Sequence, residues 1–97
     1  MKAVFIVYNR AHTEKVEFML NKLGIRGFTR FSNVDGRGSV SGEPRMNTHT
    51  WPEHNMATIT IVEDHQVDPL MDAVVRLDKI NEDVGVRAFV WDVLASV

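Results

Sequence analysis

Cysteine is absent, tyrosine occurs once, tryptophan twice and proline three times in 97 residues. Without cysteine there is no disulfide framework, no thiolate nucleophile, and no cysteine-based zinc or iron–sulfur site. No run of apolar residues approaches the length needed to span a bilayer, since the longest near the start is Ala3–Tyr8. A cleavable leader pattern is also missing there, so neither membrane insertion nor export is expected and the default compartment is the cytoplasm. No excess of positive charge is present: eleven basic against thirteen acidic residues leave a formal charge of −2, which argues against a nucleic-acid or anionic-membrane footprint. What is there is ordinary for a folded chain, with 44% apolar and 25% charged residues in 11.0 kDa. That length allows one domain, 1–97, with a small core that oligomerisation would help.

The chain order is informative. Ala3–Tyr8 reads as a central strand, and Thr13 as the cap of a helix whose first turn carries Glu14. Val16, Met19, Leu20 and Leu23 make one apolar stripe, and Gly24 is the expected left-handed stop. Gly27–Val34 reads as a second strand, with a bulge expected between Phe28 and Phe31 to reconcile their faces. Residues 35–55 lose periodicity and collect Gly36, Gly38, Gly42, Pro44 and Pro52, a long connection of the kind that carries function. Met56–Val62 is a third strand, expected to turn Ala57, Ile59 and Ile61 to one face and its threonines to the other. Asp68-Pro69 signals a second helix, with His65 as an earlier possible start, and Leu70, Val74 and Leu77 form its stripe. Val86–Val93 closes the order with Phe89, Trp91 and Val93 on one face. Strand–helix–strand–strand–helix–strand predicts an α+β, ferredoxin-like βαββαβ sandwich, an antiparallel sheet with two helices on one face. Its other face then stays uncovered in a monomer.

Gly24-Ile-Arg-Gly27-Phe-Thr29, followed by Val34-Asp-Gly36-Arg-Gly38, resembles the G-(I/V)-x-G-(M/F)-T and V-x-G-x-G segments of the nitrogen-regulatory PII superfamily. Phe89-Val-Trp-Asp-Val93 is similar to that family's closing F-V-x-x-V strand, so the resemblance runs along essentially the whole chain. It implies a homotrimer, effector clefts between subunits, and a long T-loop, here 35–55, that docks on a partner such as a membrane transporter or metabolic enzyme. Thr29, Gly36, Arg37, Gly38 and Arg87 are the implied effector residues, and Arg45 and Trp51 the partner-contacting ones. Nucleotide binding is implied, but with departures. Asn81-Glu-Asp-Val-Gly-Val-Arg87 stands where the family has G-K-x-G-D-G-K, so Asn81, Val84 and Val86 replace glycines and Glu82 replaces a lysine. β-Branched residues and acids oppose a backbone phosphate cradle, which argues against the usual ATP mode. One residue too many separates Thr29 from Val34, and the family's modifiable loop tyrosine is missing.

A second candidate is His49-Thr-Trp-Pro-Glu-His54, whose two imidazoles could hold a divalent metal. Their i,i+5 spacing matches no established metal motif. It supports an alternative function, a metal-responsive binding protein akin in fold to divalent-cation-tolerance trimers. Catalysis is not expected: no nucleophile with a base partner is apparent. Gly27-Phe-Thr-Arg30 superficially resembles the arginine loop of acylphosphatases but follows the first helix instead of preceding it.

Overall fold

The computed structural model describes residues 1–36, 55–80 and 85–97. Four strands, β1 (Lys2–Asn9), β2 (Thr29–Val34), β3 (Asn55–Val62) and β4 (Arg87–Asp92), alternate with helices α1 (Thr13–Lys22) and α2 (Asp64–Ile80) in the βαββαβ order predicted. The sheet order is β2-β3-β1-β4 with every neighbouring pair antiparallel, the ferredoxin-like arrangement.

The core lies between the sheet and the two helices. Val4, Ile6 and Tyr8 of β1 meet Val16 and Leu20 of α1 and Leu70 and Val74 of α2. α1 ends as its sequence predicts. Gly24 takes φ +76°, its amide reaches the Asn21 carbonyl at 3.0 Å, and the Ile25 amide reaches Leu20 at 2.9 Å. These two bonds close a Schellman cap, and Ile25 and Leu20 both belong to the core.

Two local expectations are corrected. Thr13 does not cap α1: His12 occupies the cap without a side-chain bond, while Asn9 caps a preceding 3-10 turn, Arg10–His12, by accepting from the Ala11 amide. Thr13 Oγ1 instead donates to the Arg10 carbonyl. Of the two starts offered for α2, the earlier one near His65 is observed: the helix begins at Asp64, where the Gln66 side chain accepts the Glu63 amide at 2.9 Å and closes the first turn. Pro69 sits inside the helix on its exposed side, forgoing one backbone bond. The β2 bulge falls later than predicted, between Phe31 and Val34, where Ser32 and Asn33 together face Met56 and Asn33 adopts φ +57°. Phe28 and Phe31 need no reconciling, because they serve opposite faces of the sheet. Phe28 lies under the Arg30 guanidinium on the helix side, and Phe31 pairs with Ala57 on the open side.

β3 alternates as expected, with its threonines and its isoleucines on opposite faces. Its threonines, not its isoleucines, face the helices: Thr58 and Thr60 are each 1% exposed, while Ile61 is 51% exposed. Burial of two hydroxyls is tolerable because each is satisfied. Thr58 Oγ1 shares a 2.8 Å hydrogen bond with the Tyr8 hydroxyl, and Thr60 Oγ1 donates to the Gly27 carbonyl at 2.6 Å. Ile59 and Ile61 accordingly join Phe5, Phe31, Phe89 and Trp91 on the face without helices. Phe5 and Trp91 are in ring contact there, with centroids 6.1 Å apart.

The chain's start is tied down at the sheet's edge. Lys2 pairs with Asp92, which raises the lysine's pKa, and the Met1 α-amino group lies 2.8 Å from Asp64. A hydrogen bond from that amine, and then its charge, hold the Asp64 carboxyl below the ordinary value.

The Tyr8–Thr58 pair is the most testable element of the core. Thr58→Val should cost about 1–3 kcal/mol in denaturant unfolding, because it strands a buried hydroxyl, whereas Tyr8→Phe combined with Thr58→Val should cost clearly less than the two single changes summed. Additive losses would show that the bond contributes nothing.

Candidate functional site

Strand order decides which candidate residues can meet. Thr29 lies on β2 and Arg87 on β4, the two opposite edges of the sheet, with β3 and β1 between them. Three strand spacings put their backbones roughly 14 Å apart. Register places Thr29 in one row with Ile59, Phe5 and Phe89, on the open apolar face. Arg87 stands in the next row, with Val7, Ala57 and Phe31. Thr29 and Gly36 bracket β2, seven positions apart in the sequence, a span of roughly 20 Å at strand rise.

Gly36 closes the base of the 37–54 stretch. A methyl group at Gly36 would sit 2.9 Å from Asn55 Nδ2, so the glycine lets the chain pass against a buried asparagine at the start of β3. Asn55 pairs with both Asn9 and Val34 in the sheet. The ends of β2 and β1 and the beginnings of β3 and β4 therefore lie at one end of the sheet, and both the 37–54 and 81–84 stretches start and finish there.

Arg87 has an occupant. Its guanidinium donates to Asp78 Oδ2 at 3.0 Å and to its own neighbour's carbonyl, Val86 O, at 2.9 Å. The other oxygen of Asp78 accepts the Val86 amide at 3.1 Å. One carboxylate near the end of α2 thus latches the entry to β4, across residues 81–84, and Gly85 turns the chain there with φ +64°. In the sequence Asp78 is one acid among several on the second helix. Its i,i+9 relation to Arg87 crosses a loop, and neither helix nor strand periodicity signals that pairing.

A cleft of about 510 Å³ at the same end of the sheet also escaped sequence reasoning. Arg10, Thr13, Glu14, Ser32, Asn33 and Met56 line it, beside the bulge. The only sequence signal was the extra residue between Thr29 and Val34, which produces the bulge. A guanidinium, a carboxylate, two hydroxyls and an amide suit a small polar ligand. Arg30, by contrast, is engaged with Glu17 of α1 and stacked over Phe28, so it forms no anion loop of the acylphosphatase kind.

Arg37, Gly38, Arg45, His49, Trp51 and His54 lie outside the described residues, as do Asn81, Glu82 and Val84. Among the described residues no group of three or more histidine, cysteine, aspartate or glutamate side chains is placed to hold a metal ion. No helix among them is long and apolar enough to cross a membrane.

The family model for nitrogen regulatory protein P-II matches residues 1–96, and the chain belongs to that family. Solved structures agree in fold. CPII of Thiomonas intermedia K12, a nitrogen regulatory PII-like protein bound to ADP, AMP and bicarbonate, superposes with TM-score 0.76 at 22% identity, covering 95% of this chain and 84% of its own. The same protein bound to ADP, AMP and acetate gives TM-score 0.74 at 24% identity, with coverage of 95% and 84%. A PII-like signaling protein of Thermus thermophilus gives 0.67 at 22% identity, with coverage of 95% and 85%. No curated protein matches the chain by sequence.

The Asp78 latch makes an asymmetric prediction for thermodynamic stability. Asp78→Ala should cost about 1–3 kcal/mol, since it strands the part-buried Val86 amide as well as Arg87. Arg87→Ala should cost less than about 1 kcal/mol, because its ion pair is half exposed. Equal losses in urea unfolding would contradict the latch.

Proposed function

We propose that this chain is a signal-transduction protein that binds a small anionic effector between two copies of itself and regulates a partner protein through residues 35–55. The observation that carries this reading is the division of the effector set. Thr29 and Gly36 lie along one edge strand and Arg87 on the other, so one subunit cannot enclose a ligand with all three. A second copy joined through the open apolar face brings unlike edges together. Phe31, Ile61, Phe89 and Trp91 are each about half exposed on that face, and burying the exposed half of one such side chain contributes about 1 kcal/mol. A closed ring of such contacts makes the homotrimer expected of the family.

An adenine nucleotide fits the dimensions. The roughly 20 Å between Thr29 and Gly36 matches an elongated ligand better than a single ion. CPII, which shares the fold, binds ADP, AMP and bicarbonate. Asn81, Glu82, Val84 and Val86 replace the glycines and lysine of the family's phosphate loop, so ADP or AMP is favoured over ATP, whose extra charge meets Glu82 and Asp83. Arg87 engages the ligand by exchanging Asp78 for phosphate, which couples effector binding to the 81–84 connection. Arg37 and Gly38 continue the same site from Gly36. Ligand binding then favours one arrangement of the 35–55 stretch, and Arg45 and Trp51 carry that change to a transporter or metabolic enzyme in the cytoplasm.

Two solution measurements test this together. Light scattering should give about 33 kDa, three times 11.0 kDa, and calorimetry should give binding of ADP or AMP that Arg87→Ala weakens at least about tenfold, roughly 1.4 kcal/mol. A monomer of 11.0 kDa that takes up no adenine nucleotide, with or without bicarbonate, would overturn the proposal.

A further inference from the structure

The ion pairs of the described residues neutralise cations selectively. Lys2 is taken by Asp92, Arg30 by Glu17 and Arg87 by Asp78. On the outer side of the helices the pattern differs. A groove of about 690 Å³ runs between α1 and α2, with Phe18, Met19, Leu23 and Leu77 contributing its apolar lining. Phe18 is 69% exposed, the most exposed aromatic ring among the described residues. Lys15, Lys22 and Arg76 also line the groove, and none of the three takes part in an ion pair among the described residues. Glu14 is the one acid in that lining. A chain of net charge −2 thus presents a locally cationic, apolar groove on the face opposite the one that self-association would cover.

We propose that this groove docks an acidic amphipathic helix of a partner protein. The apolar side of such a helix lies against Phe18 and Leu77, and its flanking carboxylates pair with Lys15, Lys22 and Arg76. Charge complementarity selects the acidic segment: a neutral peptide leaves three cations beside a desolvated interface, and a basic one is repelled by them. Phe18 is the anchor, because a large, mostly exposed ring beside an apolar groove is the kind of group on which binding energy concentrates once a partner covers it. The site occupies neither sheet edge, so it goes beyond effector binding and holds whether or not a nucleotide binds.

Fluorescence anisotropy on the full chain tests it with a labelled peptide of about 18 residues, five helical turns, bearing leucines at helical spacing and glutamates elsewhere. The control peptide has every glutamate replaced by lysine. The acidic peptide should bind, less tightly as salt rises from about 50 to about 300 mM, and the lysine peptide should not. Lys22→Glu combined with Arg76→Glu, and separately Phe18→Ser, should each weaken binding at least about tenfold, with circular dichroism unchanged because these side chains are exposed. The proposal is overturned if neither peptide binds, if both bind equally, or if the variants bind like the parent. It is overturned as well if Phe18→Ser lowers the solution mass, since a second copy would then be the groove's occupant.

Discussion

The sheet is packed on one side only, and most of what the molecule does follows from that asymmetry. Val4, Ile6 and Tyr8 are fully enclosed on the helix side, while Phe31, Ile61, Phe89 and Trp91 on the other face stay about half open. Apolar surface left open in this way costs solubility, and covering it is a driving force for association. The same face carries Thr29 and Arg87 at its two margins.

Around that sheet, two devices hold the ends of the 37–54 and 81–84 stretches in place. Gly36 passes against Asn55 at the base of the first, and Asp78 grips the Val86 amide and Arg87 across the second. Both lie at the same end of the sheet, beside the cleft lined by Arg10, Ser32 and Asn33. Membership in the P-II family gives this arrangement a regulatory context.

Much of the architecture was legible in the sequence because it rests on local periodicity. The α1 stripe, the Gly24 stop and the order of elements needed only spacing and a residue tolerant of positive φ. The facing of β3 was not legible. Alternation separates two sets of residues without saying which set is inside. Threonines won because Tyr8 and the Gly27 carbonyl, 50 and 33 residues away in sequence, satisfy their hydroxyls. For α2 two starts were legible, near His65 and at Asp68-Pro69, and the Gln66–Glu63 closure decides for the earlier. The effector candidates came from resemblance, and their separation onto opposite edges emerged only once the strands were paired.

The division of one site between two subunits is best tested by mixing subunits. Two inactive variants are needed, one altered at Thr29 and Gly36 and the other at Arg87, each folded by circular dichroism. Co-refolded together, they form mixed assemblies in which some interfaces combine an intact edge from each, so nucleotide binding should reappear there and in neither parent. Binding that stays absent from the mixture, or that persists undiminished in a homogeneous Arg87 variant, would contradict a site shared between neighbouring copies.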